Sequence, residues 1–305
     1  MNVELPQGLT FIERGWLSSN TVIVDDGAEC VCIDTGYVTH APLLLRLLDS
    51  HLADRALDLI VNTHLHSDHC GGNHALLQQF PNVKTLIQYG LFDAVDTWDQ
   101  QRLSFNLTGQ HCPRFRVNQA LYPGDLCQWA GFEWEIHAAP GHDHDALLFF
   151  NPLHRILISA DALWINGFGV VFPEVCGDKG FEEVSATLDV IESLNPFLVL
   201  PGHGPAIWDI AKSLQISRSK LARFVNEPKL HASHAAKVLL KFHLLEWQSR
   251  PILDFKQWAK NTPLIINLHQ HGFLDIPIEL WLDSLIQELV AKNASRLDGA
   301  VIHNI

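Results

Sequence analysis

The stretch THLHSDHCGG, Thr63 to Gly72, follows an apolar run typical of a buried strand and holds three histidines and one aspartate within six positions. His64 and His66 are two residues apart, so in extended backbone both side chains leave the same face, as two ligands of one metal ion must. Asp68 and His69 follow where the chain must turn towards two glycines, so they can point at a second position nearby. The pattern therefore predicts a metal site, and one short segment could serve two ions.

Four candidate ligands do not complete two metal sites, so further ligands must come from elsewhere in the chain. Three segments offer one where a predicted strand meets glycine or alanine: His142 in AAPGHDHD, Asp161 in RILISADALW and His203 in FLVLPGHGP. Loops at the ends of buried strands hold ligands well because the sheet fixes their backbone. We therefore expect these three side chains to complete the site.

Length and composition are those of an ordinary globular protein. With 305 residues, 47% of them hydrophobic, the chain can form one large domain or two around a sizeable core. No apolar run approaches the ~20 residues that span a bilayer, and the start of the chain lacks a basic region followed by an apolar one. Six cysteines without a CxxC pair fit reduced thiols. We therefore expect a cytoplasmic protein without a membrane partner.

The net charge of −13 is unevenly distributed along the chain. Residues 1–210 carry 9 Lys and Arg against 26 Asp and Glu, whereas residues 211–305 carry 12 against 8. A surface as acidic as that of the first part repels phosphate backbones, so nucleic acid is not expected as a partner. The mildly basic second part leaves room for a small anionic group, and a small-molecule substrate is the expected partner.

Strand and helix patterns predict two parts of different structure. Short β-rich runs up to Asp34 are followed by alternating helical and strand patterns, which predict an α/β architecture with helices outside buried sheets. Residues 89–119 interrupt the alternation and are typical of a lid or a helical insertion. From about residue 206 only helical spacing continues. We therefore expect a first domain, 1–210, that carries the site, and a helical C-terminal subdomain, 211–305.

Five motifs follow one another along the chain: Asp34 in IDTG, His64-x-His66-x-Asp68-His69, His142 in PGH, Asp161 in SADA and His203 in PGHG. In this order and spacing they resemble the metallo-β-lactamase superfamily, in particular its glyoxalase II-like hydrolases, the hydroxyacylglutathione hydrolases. The resemblance covers residues 20–205, about three fifths of the chain. It implies that the first domain is a catalytic αββα sandwich with metal ions at one edge.

The resemblance also implies a role for each ligand. A first metal ion would be bound by His64, His66 and His142, and a second by Asp68, His69 and His203. Asp161 would bridge the two ions. These seven ligands would complete the site without Cys70, although that residue directly follows His69.

Three positions refine the resemblance. One subclass of β-lactamases has Cys where this chain has Asp161, a hard ligand that favours zinc while leaving iron and manganese open. His66 stands where the flavodiiron branch typically has Glu, and no flavin domain follows, so a redox role is disfavoured. Trp164 stands where lactonases of the superfamily usually have Tyr, which weakens a lactonase function.

Residues around the ligands are expected to support them. Asp34 is expected to fix the ligand loop or a ligand side chain rather than to bind metal. In PGHDHDAL, Asp145 or Asp143 could orient a ligand imidazole through its free N–H, the alternative being that both are exposed turn residues.

Aromatic residues are candidates for the wall of a substrate pocket. They are Trp164, Phe168 and Phe172 in ADALWINGFGVVFPE, with Trp98 and Phe105 in the insertion. The alternative for each is a place in the core. An apolar wall suggests an acyl or aromatic portion in the substrate.

The function implied is that of a dinuclear metal-dependent hydrolase. A hydroxide shared by two divalent ions would attack a substrate carbonyl, and Asp68 could pass a proton to the leaving group. A thioester or ester of the acylglutathione type is the leading substrate. Basic residues of the C-terminal helices are candidates for an anionic tail such as glutathione or coenzyme A, the alternative being a solvated helix face: Arg218, Lys220, Arg223 and Lys229.

Other functions stay open at this point. A phosphodiesterase or nuclease of the same superfamily is disfavoured by the acidic charge, and a lactonase by Trp164. A binding protein with a vestigial site is disfavoured because all seven ligands are present. The sequence does not decide whether the chain forms a homo-oligomer.

Overall fold

The β-sheet formed by the first strands of the chain is buried on both faces, because its strands are apolar on both sides. The computed structural model describes residues 5–305. Val22 and Val24 face one core whereas Ile23 between them faces another, because successive side chains of a strand point to opposite sides. Cys32 and Ile33 of the next strand alternate in the same way. A sheet buried on both faces needs a further layer on each side.

The first sheet contains six strands arranged in the order of the chain. They are β1 (Leu9–Ile12), β2 (Thr21–Asp25), β3 (Cys30–Ile33), β4 (Leu59–Val61), β5 (Lys84–Gln88) and β6 (Gln119–Leu121). β1 to β3 pair antiparallel, and β3 to β6 pair parallel. The carboxyl ends of β3 to β6 therefore lie at one edge of the sheet.

The second sheet contains five strands in the order β11-β10-β9-β8-β7. They are β7 (Leu126–Trp129), β8 (Phe132–Ala138), β9 (Leu147–Asn151), β10 (Ile156–Ala160) and β11 (Leu198–Pro201). β8, β10 and β11 run in the same direction, so their carboxyl ends also share one edge. Its inner face shares a core with the first sheet, in which Trp134 and Phe149 lie among residues such as Ile33 and Val61.

Helices cover the outer faces of both sheets. Those up to residue 226 are α1 (Ala41–Leu52), α2 (Ser67–Cys70), α3 (Asn73–Gln79), α4 (Phe92–Thr97), α5 (Phe105–Thr108), α6 (Phe172–Cys176), α7 (Gly180–Leu194) and α8 (Ile210–Asn226). Leu44 and Leu48 of α1 pack on the first sheet, whereas Val184 and Leu188 of α7 pack on the second. The predicted αββα sandwich is confirmed.

The interval 89–119 contains α4 and α5. Phe105 is buried, and Trp98 packs against the same core, with its ring centroid 6.0 Å from that of Phe105. The expectation that these two aromatic residues line the substrate pocket is wrong, because they fill the core beneath the insertion.

The C-terminal part contains helices together with a small sheet. The helices are α9 (Pro228–Trp247), α10 (Ile252–Asn261), α11 (Pro263–Gly272) and α12 (Ile278–Ala291), and the strands are β12 (Ser249–Pro251), β13 (Ser295–Asp298) and β14 (Val301–Asn304). The sequence pattern predicts the helices but not the strands, which are three or four residues long and mostly exposed. None of the helices within residues 5–305 has the length and apolar character needed to cross a membrane. The division at residue 210 stays a prediction.

Tyr37 joins three parts of the chain. Its fully buried hydroxyl donates to Glu246 Oε1 of α9 at 3.0 Å and accepts the backbone N–H of His111 from the insertion at 3.3 Å. The first sheet, the insertion and the C-terminal helices are thereby held in one arrangement.

Candidate metal centre

Loops from the two sheets meet where the carboxyl ends of their strands face each other. The backbone N–H of Leu147 donates to the Thr63 carbonyl at 2.9 Å, and that of Asn20 donates to the Gly202 carbonyl at 2.6 Å. These bonds join the segments that carry the predicted ligands. All seven predicted ligands lie at this edge.

Three imidazoles form the first group: His64, His66 and His142. Their ligand-type nitrogen atoms all lie within 4.8 Å of one another. His66 Nδ1 is 3.1 Å from His64 Nε2 and 2.7 Å from His142 Nε2. His142 Nδ1 donates to the Val170 carbonyl at 2.6 Å, which fixes the ring and leaves Nε2 free for the site.

A carboxylate and two imidazoles form the second group: Asp68, His69 and His203. Asp68 Oδ2 is 3.1 Å from His203 Nε2. Asp68 and His69 belong to α2, which begins directly after the extended His66, so the chain turns where the sequence predicts that it must. This turn separates the side chains of one short segment into two groups.

Asp161 lies between the two groups. Its Oδ1 is 3.4 Å from His69 Nε2, and its Oδ2 is 3.3 Å from His142 Nε2 and 3.9 Å from His203 Nε2. The residue directly follows β10, whose last residue, Ala160, has a positive φ of 47°. One carboxylate therefore faces both groups of imidazoles.

Burial and neighbouring charges set the protonation of these side chains. Burial lowers the pKa of His66 and of His142 to about 4 and that of His64 well below its ordinary value. These rings are therefore neutral near pH 7 and can offer a lone pair to a cation. Burial would also lower the pKa of His69, but Asp34 and Asp161 outweigh it and hold that pKa well above its usual range.

The donor set fits divalent cations. Imidazole nitrogen and carboxylate oxygen are preferred ligands of zinc and are also used by iron and manganese. One further observation fits a cation at this position: His69 Nε2, which lies 3.4 Å from Asp161 Oδ1, is buried and has no hydrogen-bond partner within residues 5–305. Near-contacts between unprotonated ring nitrogens are unfavourable unless a proton or a cation lies between them.

Asp34 supports the ligand loop from behind. Its carboxylate accepts three hydrogen bonds, from the Thr63 N–H at 2.9 Å, from Thr63 Oγ1 at 2.7 Å and from His69 Nδ1 at 2.8 Å. The bond to His69 directs the other ring nitrogen, Nε2, towards the site. This geometry agrees with the predicted supporting role of Asp34.

Asp145 has a different place from the one predicted. Its carboxylate lies against Gly90, where an added Cβ would come within 1.9 Å of Oδ1, and within residues 5–305 no hydrogen bond or ion pair joins it to a candidate ligand imidazole. The neighbouring Asp143 takes that place, with Oδ2 3.8 Å from His66 Nε2. The sequence allowed either residue, and the backbone of the turn determines which one faces the site.

The predicted pocket residues divide into two kinds. Trp164 donates from Nε1 to Asp161 Oδ1 at 3.2 Å, and the ring of Phe172 lies 4.9 Å from that of His66. Both border the centre. Phe168 is only 1% exposed and packs against Phe224, but it also lines a small cavity together with His142 and Asp161, so its place in the substrate pocket stays a prediction.

Trp16 borders the centre and was not predicted to do so. Its ring stacks on that of His203 at a centroid distance of 5.4 Å and meets Trp164 edge-on at the same distance. The side chain is 56% exposed, so it forms an open aromatic wall beside the second group. The only signal in the sequence is a tryptophan in a loop before β2, which does not indicate contact with a segment almost 190 positions later.

Cys70 faces away from the centre. Its thiol donates to the backbone carbonyls of Leu65 and His66 and lies 3.7 Å from the Cys112 sulfur. The candidate ligand set thus has no geometric need of this thiol.

Substituting Gly202 by alanine is expected to displace Asp161. An added Cβ would lie 2.3 Å from Asp161 Oδ1 and 2.9 Å from His69 Cε1, closer than nonbonded atoms approach. We expect a lower metal content and a loss of about 1–3 kcal/mol in the free energy of unfolding from overpacking. Elemental analysis and denaturant unfolding measure the two effects. Gly272→Ala, at the end of α11, is the control, since its Cβ would meet no atom within 4 Å and its backbone is not in the left-handed region; equal metal content in the two variants would contradict the expectation.

The four-layer fold and a cluster of five histidines and two aspartates at the strand ends define a class of metal-binding α/β proteins. Residues 14–203 match the family model of the metallo-beta-lactamase superfamily, and the chain belongs to this superfamily. The helices beyond residue 203 lie outside the match.

The relatives of this chain include two kinds of enzyme whose names refer to the hydrolysis of thioesters. An atrochrysone carboxyl ACP thioesterase of Aspergillus terreus is 26% identical over 94% of this chain and 77% of its own length. A hydroxyacylglutathione hydrolase of Aeromonas hydrophila is 32% identical over 47% of this chain and 46% of its own length. The chain spans from 44% to 77% of the length of the fungal thioesterases that it matches.

A solved structure shows the same fold. The protein TTHA1623, solved in a di-iron-bound form, aligns with a TM-score of 0.53 and 24% identity over 68% of this chain and 98% of its own. The likeness concerns the fold of the catalytic part.

Proposed function

We propose that this protein is a metal-dependent hydrolase with a dinuclear centre that cleaves a thioester, or an ester, of a small molecule. The observation that carries the proposal is the position of Asp161, whose two oxygens face imidazoles of both groups at 3.3 to 3.9 Å. A carboxylate shared by two sets of three ligands is the arrangement of a two-metal site. The relatives named as thioesterases and hydroxyacylglutathione hydrolases support thioesters as the substrate class.

Two metal ions would be held by the residues of the two groups. His64, His66 and His142 would hold one, Asp68, His69 and His203 the other, and Asp161 both. When bound, divalent ions would supply a Lewis acid for the substrate carbonyl and make a water molecule acidic enough to react near neutral pH. We propose zinc as the metal because imidazoles, which suit zinc, provide most of the donors; iron and manganese are the alternatives, since they also bind imidazole and carboxylate ligands.

Asp68 is proposed to move a proton as well as to bind metal. Burial would raise the pKa of this carboxyl, but the hydrogen bond with His203 and the charges of His69 and His203 together lower it, so the carboxylate is ionised and can accept a proton. An oxygen leaving group needs such a donor, whereas a thiolate does not. The contribution of Asp68 to proton transfer is therefore expected to be larger for esters than for thioesters.

Aromatic side chains on both sides of the centre favour an apolar acyl group. Trp16 and Trp164 form a wall beside His203, and Phe172 lies beside His66 and His142. Such surfaces gain free energy by covering the acyl portion of a substrate. The acidic charge of residues 1–210 argues against nucleic acid as the substrate.

Metal removal and a substrate panel test the proposal. Protein freed of metal by a chelator should hydrolyse none of four substrates: an acyl-coenzyme A, an acylglutathione, a lactone and a phosphodiester. Restoring zinc, iron or manganese separately should restore turnover of a thioester, and the ion that does so at about two equivalents identifies the metal. Less than one equivalent of metal in the purified protein, unaffected by His64→Ala, would contradict a dinuclear centre. Turnover of phosphodiesters alone would replace the proposed function by a phosphodiesterase.

A further inference from the structure

We propose that a basic groove between α8, α9 and the end of α12 binds the phosphate groups of a phosphopantetheine thioester, so that the acyl group reaches the metal centre. The groove is defined by Lys212, Lys220, Arg223, Lys237 and Lys292 together with His234. The inference deepens the proposed function and rests on it, because it names the class of thioester that the same centre would hydrolyse.

The groove concentrates positive charge in an acidic protein. It encloses a cavity of about 700 Å³, and its lining includes five of the chain's 21 Lys and Arg residues but no Asp or Glu. The chain as a whole carries 34 acidic residues and a net charge of −13. The groove lies mainly in residues 211–305, which carry 12 Lys and Arg against 8 Asp and Glu, so a polyanionic ligand would be attracted here rather than to the acidic residues 1–210.

Most of these charges have no partner that neutralises them. Lys237 is paired with Glu288, and Lys220 donates to the Phe168 carbonyl at 2.9 Å. The side chains of Lys212, Arg223 and Lys292 make no ion pair or hydrogen bond within residues 5–305. Three unneutralised cations around one cavity suit a ligand with several phosphate oxygens, which guanidinium and ammonium groups bind well.

The groove lies beside the loop that carries the centre. Asn166 contributes to its lining, and an added Cβ on Gly167 would lie 2.8 Å from Lys220 Cδ. Gly167 pairs through its backbone with Trp164, whose indole donates to Asp161. A single residue, Ile165, therefore separates the lining of the groove at Asn166 from the aromatic wall of the metal centre at Trp164. A ligand with its phosphates in the groove can pass its flexible arm over this loop.

The charge of the groove distinguishes between thioester carriers. Glutathione has two carboxylates and one ammonium group that a basic groove would repel, whereas the phosphopantetheine arm has no cationic group. Phosphopantetheine carries one phosphate. Coenzyme A contains this arm and carries further phosphates, whereas in a carrier protein the arm is attached through its phosphate to the protein surface. The shared chemistry is a phosphorylated pantetheine arm, and the experiment must separate its two sources.

Binding of free coenzyme A tests the groove without depending on catalysis. By calorimetry, coenzyme A should bind the wild-type protein at least about tenfold more tightly than unphosphorylated pantetheine, and the double variant Arg223→Glu/Lys292→Glu should lose that preference. Lys84→Glu is the charge-matched control for each single variant, Arg223→Glu or Lys292→Glu, and should keep the preference, since Lys84 is exposed at the start of β5 in the first sheet. Equal binding of coenzyme A and pantetheine to the wild-type protein would overturn the proposal.

Steady-state kinetics identify the source of the phosphate. The single variants Arg223→Glu and Lys292→Glu should raise KM about tenfold, with little change in kcat, for an acyl-coenzyme A or for an acyl-phosphopantetheinyl carrier protein. The substrate whose KM rises identifies the source of the phosphate, and the KM for an acyl-pantetheine should not change. An equal rise in KM for acylglutathione would overturn the assignment to phosphate, as would the absence of any change. If metal-loaded wild-type protein hydrolyses no thioester, the proposed function fails, whereas the binding measurement still decides whether the groove recognises phosphate.

Discussion

Replacing Asp161 by alanine is expected to lower kcat/KM for thioester hydrolysis by at least about a thousandfold. The carboxylate faces both groups of candidate ligands, with oxygens 3.3 Å from His142 Nε2 and 3.4 Å from His69 Nε2. Its loss removes the ligand that the two metal ions would share and leaves no carboxylate between the imidazoles of the two groups. We therefore expect metal content to fall together with activity, as measured by elemental analysis and steady-state kinetics on the same preparation.

The control for this variant is Asp189→Ala. Asp189 is an exposed residue of α7 that pairs with Arg218, so the same substitution there removes a carboxylate without touching the centre. Its kcat/KM should stay within about twofold of the wild-type value. Activity and metal content that survive Asp161→Ala would argue against a bridging role. A folded but metal-free variant would show that Asp161 is needed for binding of both ions.

Replacing Asp34 by asparagine is expected to weaken metal binding or activity about 10- to 100-fold. The carboxylate is 3% exposed and holds Thr63 and the ring of His69, and an amide cannot accept hydrogen bonds at both of its polar atoms. Leaving a buried donor unpaired should also lower the free energy of unfolding by about 1–3 kcal/mol. Metal titration monitored by activity and denaturant unfolding measure these effects separately.

Asparagine is the informative substitution at this position because of the backbone. Asp34 has a φ of 58°, and asparagine tolerates this left-handed conformation, whereas alanine would add strain. Thr63→Val provides the comparison: it removes the hydrogen bond from Thr63 Oγ1 to Asp34 and the 3.2 Å contact of Oγ1 with His64 Nδ1, but it leaves the bond from His69 to Asp34 in place. A Thr63→Val variant as impaired in metal binding as Asp34→Asn would mean that the contacts of Thr63, and not the bond to His69, account for the effect.

Local spacing made much of the fold and the ligand-type cluster predictable. His64 and His66 need only an extended backbone to share one face, and Asp68 and His69 need only the following turn. Each of the other three candidate ligands stands at the end of an apolar strand, and strands of this kind end at a common edge of a sandwich. The sequence therefore led to all seven side chains that the structure brings together, while their binding of metal stays a proposal.

Contacts between distant segments were not predictable in this way. Trp16 stacks on His203 because two loops from different sheets meet, and no pattern within either loop indicates this contact. Phe168 belongs to the same loop as Trp164, but its side chain packs in the core beside Phe224. This orientation depends on the space available there. The strands β12 to β14 escaped prediction because they are too short and too exposed to show an alternating apolar pattern.

The candidate ligands come from the edges of both sheets, with His64 and His69 on the first and Asp161 and His203 on the second. Ions that bind only this assembled arrangement would stabilise the folded chain by mass action, by about 2.7 kcal/mol per site when the free metal concentration is 100 times Kd. The thermal midpoint would then rise with the concentration of free metal. Metal supply would thus govern how long a chain persists in the folded state as well as how fast each chain works.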